Sequence, residues 1–142
     1  MPTRDEKWTW QFDRVIPSDA DAGRCLLDDM LRQLKTLNWN DHEIFGVHLA
    51  VYEALVNAVS HGNAKDASKH VRFACRVSPQ KIHVEIVDEG PGFDPKRLPD
   101  PTDPSHLGCP RGRGVMLMRA FMNHVEFLDR GNHVVLEKER NG

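Results

Sequence analysis

Apolar residues recur along this chain with two different periods, and the period changes where turn-forming residues cluster. Trp8, Trp10 and Phe12 alternate with Thr9, Gln11 and Asp13, the period of two that predicts a half-buried strand. Pro17-Ser18 ends that run and caps a helix in which Leu26, Leu27, Met30, Leu31, Leu34 and Leu37 fall at helical spacing. Asn40, with Glu43 following in capping-box position, starts a second helix that runs to about His61. Val71, Phe73, Cys75 and Val77 then alternate with Arg72, Ala74 and Arg76. Ser78-Pro79-Gln80 turns the chain, and Ile82, Val84 and Ile86 alternate again, so two successive strands are predicted. A proline-rich loop covers roughly residues 95–110, and a third helix begins near Gly114. Two short strands, Val125–Leu128 and Val134–Glu137, close around Gly131-Asn132. Strands joined by hairpin-type turns, with long helices before and after, predict an α+β fold: a two-layer α/β sandwich with one mostly antiparallel sheet and three helices on one face.

The second helix has a further pattern. At ~100° per residue, Ile44, Phe45, Val47, Leu49, Val51, Tyr52, Leu55, Val56 and Val59 span roughly 220°, which predicts burial on more than one side. The remaining stripe holds Gly46, Ala50, Glu53, Asn57 and Ser60. Small residues around one acid and one amide leave room for something to lie against that face. Glu53 and Asn57, four residues apart, stand one turn above each other. A carboxylate can take a proton, and an amide oxygen is a hard ligand suited to magnesium. Taken alone, the pair also fits an exposed polar stripe on a surface helix.

Two glycine-rich stretches follow. Asp88 ends an apolar strand directly before Glu89-Gly90-Pro91-Gly92. A strand-end carboxylate can accept from an exocyclic amine, and Gly90 and Gly92 let backbone pass close to a flat base. The bland reading of the same string is a turn. Arg111-Gly112-Arg113-Gly114 precedes the apolar helical run from Val115 to Met122. Glycines at a helix start let several N–H groups face one anion, and two arginines add charge-assisted bonds to phosphate. The alternative is a loop leading into a core helix. Neither a Walker-type nor a Rossmann phosphate motif is present.

Composition narrows the frame. The length of 142 residues fits a single domain, residues 1–142, with one sizeable core. A formal net charge of -2 sets aside bulk electrostatic binding to nucleic acid. The three cysteines Cys25, Cys75 and Cys109 are odd in number and share no short spacing, so neither a disulfide framework nor a zinc site is expected. No apolar run reaches membrane-spanning length and Met1–Trp10 has no apolar signal region, so no membrane association is expected and the expected location is the cytoplasm.

In order, the three motifs carry a resemblance. Glu53-Ala54-Leu55-Val56-Asn57-Ala58 resembles the N box of the GHKL superfamily of ATPases, which includes gyrase, MutL and the histidine kinases. Asp88-Glu89-Gly90-Pro91-Gly92-Phe93 resembles its first glycine box and Arg111-Gly112-Arg113-Gly114-Val115 its second. More narrowly, the run from Ile16 to Glu137 is similar to the anti-sigma-factor serine kinases of the RsbW and SpoIIAB type. That resemblance implies a Bergerat, histidine-kinase-like ATPase fold, an ATP site, and a kinase that phosphorylates a serine of an anti-anti-sigma (STAS-type) antagonist while also binding a sigma factor. It implies that Asn57 holds magnesium, that Glu53 is the general base, and that Asp88 reads the adenine amine. Gly90 and Gly92 would shape the base pocket, and Arg111, Gly112, Arg113, Gly114 and Val115 would form the phosphate side. Relatives of this kind commonly pair as homodimers.

Two classes remain open at this level: an ATP-dependent, magnesium-requiring protein serine kinase, and a non-catalytic module of the same fold whose ATP gates partner binding. Glu53 favours the first, because a pure binder has no need of a carboxylate one turn before the metal ligand. A histidine-kinase catalytic piece is disfavoured. His42-Glu43-Ile44-Phe45 lacks the Arg and Pro expected after a phosphoacceptor histidine and acid.

Overall fold

The computed structural model describes residues 8–63, 66, 68–92 and 110–140, with the backbone alone described at residues 20, 61 and 110–113. The elements are β1 (Trp10–Pro17), α1 (Ala20–Thr36), α2 (Asp41–Val56), β2 (His70–Val77), β3 (Lys81–Asp88), α3 (Pro110–Phe121), β4 (His124–Leu128) and β5 (His133–Glu139). The strands form one antiparallel sheet in the order β1-β2-β3-β5-β4. Phe12 and Ile16 of β1, Val71, Phe73, Cys75 and Val77 of β2, Ile82, Val84 and Ile86 of β3, and Val134 and Leu136 of β5 face one side. There they meet Leu27, Met30 and Leu34 of α1, Val47, Val51 and Leu55 of α2, and Val115 and Met118 of α3 in a continuous core. The opposite face of the sheet carries Arg72, His83, Glu85, His133 and Glu137. This is the expected two-layer α+β sandwich. Among the described residues, no helix is long and apolar enough to cross a membrane. Cys25 and Cys75 are free, and burial pushes the Cys75 thiol pKa up.

Local signals explain most element ends. Asp19 caps α1 by accepting from the Asp21 N–H, and Asn40 caps α2 by accepting from the Glu43 N–H at 2.7 Å. β1 starts at Trp10 rather than Trp8. Trp8 leaves the strand and sets its ring 6.5 Å from that of His83.

Three expectations need correction. The third helix starts at Pro110, not near Gly114, because proline is preorganised for a first helical position and lacks only an N–H that would be unpaired there. The apolar arc of α2 is buried on more than one side, against α1, α3 and the sheet, but not over its whole width: Phe45 is 57% and Tyr52 46% exposed. The buried set is Glu43, Gly46, Val47, Ala50, Val51, Ala54 and Leu55. Gly46 and Ala50, read as leaving space for another group, are covered by protein: a β-carbon at Gly46 would come within 2.8 Å of the Phe121 ring. Their small size lets α3 pack closely on α2. The proline-rich stretch at residues 95–109 lies outside the described residues, as does Cys109.

Candidate functional site

The ends of α2 and β3 and the start of α3 converge on the inner side of the sheet. Side chains alternate along β3, so the parity that sends Ile82, Val84 and Ile86 into the core also turns Asp88 inward at the strand's end. Asp88 is 8% exposed. After Val56, α2 widens into a π-helical turn, Asn57–Gly62, a device frequent at functional sites. Gly62 ends that turn against Asp88. A β-carbon added there would fall 2.2 Å from the Asp88 carboxylate, and one at Gly90 would fall 1.8 Å from the Gly62 carbonyl oxygen. Both contacts demand glycine. Asp88 Oδ1 accepts from the Gly90 N–H at 2.8 Å. Gly92, at φ +81°, lies against the Arg130 carbonyl and joins this corner to the β4–β5 turn.

Asn132, in that turn, approaches Asp88 from the other side. Its backbone oxygen accepts from the Asp88 N–H at 2.9 Å, and its Nδ2 donates to the Asp88 carbonyl oxygen at 3.0 Å. Asn132 Oδ1 and Asn57 Nδ2 are both buried without a hydrogen-bond partner among the described residues. Together with Asp88 they line a narrow cleft walled by Ala54, Ala58, Ile86, Met118, Phe127 and Val134. Leaving a buried amide atom unpaired costs about 1–3 kcal/mol. One donor, one acceptor and one carboxylate between apolar walls suit a flat heterocycle that both donates and accepts hydrogen bonds.

Gly114 brings α3 to the neighbouring acid and amide. A β-carbon at Gly114 would lie 3.0 Å from both Glu53 Oε2 and Asn57 Nδ2. The first turn of a helix presents unpaired N–H groups and the positive end of its dipole, so anionic groups are favoured at this end of α3. Glu53 and Asn57 offer a carboxylate and an amide oxygen, the hard donors that magnesium takes. Among the described residues, no group of three or more His, Cys, Asp or Glu side chains is arranged to hold an ion. A magnesium ion here would complete its shell with phosphate oxygens and water, and the residues present fit that arrangement.

The structure thus gathers Glu53, Asn57, Asp88, Gly90 and Gly114 and sets Gly92 at the margin. Val115 is 3% exposed and belongs to the core. The backbone of Arg111, Gly112 and Arg113 forms the first turn of α3, and their side chains lie outside the described residues. Two contributors escape the sequence reading: Gly131-Asn132 reads only as a hairpin turn, and Gly62 as a helix end. Pairing of β5 with β3 is what carries Asn132 to Asp88.

The chain is similar in sequence and fold to known proteins. A model of the histidine kinase-like ATPase domain matches residues 16–138. The serine-protein kinase RsbW of Bacillus subtilis is 33% identical over 107 residues, covering 70% of this chain and 67% of that protein. An anti-sigma F factor of Clostridium perfringens is 28% identical over 106 residues, covering 70% and 74%. The serine/threonine-protein kinase BtrW of Bordetella bronchiseptica is 29% identical over 102 residues, covering 69% and 72%. In fold, the chain is similar to a crystal structure of the RsbU and RsbW domains of a Mycobacterium tuberculosis protein, with TM-score 0.57 and 17% identity. That similarity covers 94% of this chain and 32% of the longer one.

Proposed function

The chain belongs to the histidine kinase-like ATPase domain family, and from that premise we propose that it is an ATP-dependent protein serine kinase that doubles as an anti-sigma factor. The observation that carries this reading is the pair of unpartnered buried amide atoms, Asn57 Nδ2 and Asn132 Oδ1, in the cleft that Asp88 closes. Adenine supplies what they lack. The two N–H groups of its exocyclic amine donate to the Asp88 carboxylate and to Asn132 Oδ1, and a ring nitrogen accepts from Asn57 Nδ2, whereas guanine carries a carbonyl where adenine has the amine.

The remaining residues have roles along the same axis. The phosphates run toward the start of α3, where Arg111, Gly112, Arg113 and Gly114 and the helix dipole favour negative charge. Asn57 would hold magnesium through its amide oxygen, a hard donor. Magnesium, when bound, neutralises charge on the phosphate oxygens. Glu53 takes the proton of the substrate serine hydroxyl, whose oxygen forms a bond to the γ-phosphorus as the bond to the bridging oxygen breaks and ADP leaves. The substrate serine belongs to an anti-anti-sigma protein of the STAS type, and the other partner is a sigma factor. The kinases and the anti-sigma factor among the similar proteins support both the kinase and the anti-sigma roles. The protein works in the cytoplasm, as a homodimer, without direct contact with nucleic acid or membrane.

The test is phosphate transfer. Wild-type protein, labelled ATP and magnesium are incubated with each STAS-type protein of the same genome. One of them should become labelled on serine. Glu53→Gln keeps the shape but cannot take a proton, so transfer should slow by about 10²–10⁴-fold while ATP binding persists. Transfer to none of these proteins would favour an ATP-gated binding module. Transfer at the wild-type rate by Glu53→Gln would assign the base to another residue.

A further inference from the structure

Asn63 follows the π-helical turn directly and is 0% exposed. Its side chain bonds to three separate segments. Oδ1 accepts from the Glu89 N–H at 2.7 Å, and Nδ2 donates to Ser18 Oγ and to the His70 carbonyl oxygen, each at 3.0 Å. Its own N–H donates to the Ala58 carbonyl at 2.8 Å. The end of β1, the start of β2, the end of β3 and the π-helical turn are therefore tied to one planar amide.

We propose that Asn63 is the positioning residue of the nucleotide-base pocket, fixing the Asp88-Glu89-Gly90 corner so that the Asp88 carboxylate is held where it reads the base. This rests on the reading of Asp88 as the base-reading acid. The Glu89 N–H that Asn63 holds belongs to the peptide joining Asp88 to Glu89, and the next N–H, that of Gly90, fixes Asp88 Oδ1. Rotating the chain at Glu89 therefore moves the donor that holds the carboxylate. The corner has no slack on its opposite side, because Gly62 abuts the carboxylate and the Gly62 carbonyl abuts Gly90. Asn63 does not line the cleft, and its hold on the Asp88 corner passes through the Glu89 N–H. The amide uses both its N–H bonds and its oxygen; aspartate keeps only the oxygen that holds the Glu89 N–H, and leucine keeps neither.

The experiment compares ATP and GTP affinity by calorimetry for wild type, Asn63→Ala, Asn63→Asp and Asp88→Asn, at a temperature where circular dichroism shows each variant folded. Asn63→Ala removes the hold on Glu89, so ATP binding should weaken about tenfold or more and the preference for ATP over GTP should shrink. Asn63→Asp keeps an oxygen for the Glu89 N–H and should regain the preference, though it melts lower. A purely structural role would lower the melting temperature of both variants and leave the ATP-to-GTP ratio at the wild-type value, which would overturn the proposal. If Asp88→Asn loses the preference while Asn63→Ala keeps it, only the role of Asn63 falls. If Asp88→Asn keeps it, the reading of Asp88 fails and the role of Asn63 falls with it. Should Asn63→Ala not fold, hydrogen exchange at the Glu89 amide of the wild-type protein decides: slowing with ATP but not GTP supports the proposal, and exchange indifferent to nucleotide overturns it.

Discussion

At the scale of single residues, the placement of Glu53, Asn57 and Asp88 is legible because each combines a polar side chain with a local pattern that fixes its direction. Helical spacing stacks Glu53 on Asn57, and strand alternation turns Asp88 inward. Asn132 and Asn63 were not legible, since their roles arise from partners 44 and 26 residues away in sequence. An asparagine beside a glycine looks the same in an idle turn as in a binding cleft. The magnesium role proposed for the Asn57 amide oxygen gives a direct expectation. Asn57→Ala should bind ATP with the same affinity in magnesium as in EDTA, whereas the wild type should bind more tightly in magnesium. Persisting magnesium dependence in the variant would put the ion on other ligands.

Elements are legible where one period dominates, as in β2, β3 and α1, and not where packing decides. The apolar arc of α2 overstated its burial because the sequence does not say how many neighbours a helix will have, and Phe45 and Tyr52 stay exposed. The small-residue stripe split in two. Gly46 packs against Phe121 of α3 and Ala50 is buried, and only Asn57, at the other end, lines the cleft, with Glu53 beside it at Gly114. The π-helical turn had no sequence signature, yet it sets Gly62 against Asp88. Gly62→Ala should test that junction. Alanine gains about 0.8 kcal/mol of helix propensity, but a β-carbon 2.2 Å from the Asp88 carboxylate forces a shift costing about 1–3 kcal/mol. The urea midpoint and the ATP affinity should fall together; a variant that binds ATP as the wild type does would contradict the tight contact.

For the molecule as a whole, the two-layer architecture followed from the grouping of strands and helices, while the position of β5 between β3 and β4 did not, because strand order depends on long-range pairing. That order builds the polar row on the outer face of the sheet. Burial pushes the Glu85 and Glu137 carboxyls up, but hydrogen bonds from His133 and His83 at Glu85, and from His83 with the Lys81 charge at Glu137, outweigh it and hold both below the ordinary 4.5. A carboxylate with a lowered folded-state pKa adds stability above its unfolded value and loses it as pH falls through the folded one. Urea midpoints should therefore fall more steeply from about pH 5 to about pH 3 in the wild type than in Glu85→Gln/Glu137→Gln. Parallel curves would show that the row adds nothing to the folded state. The claim on which the functional reading turns is that the cleft beside Asp88 binds adenine nucleotide, and calorimetric titration of the intact protein with ATP and GTP in magnesium tests it most directly. ATP should bind and GTP should bind more weakly, with Asp88→Asn losing about 1–3 kcal/mol of ATP affinity. Equal affinity for the two nucleotides, or an Asp88→Asn variant that binds ATP as tightly as the wild type, would contradict it.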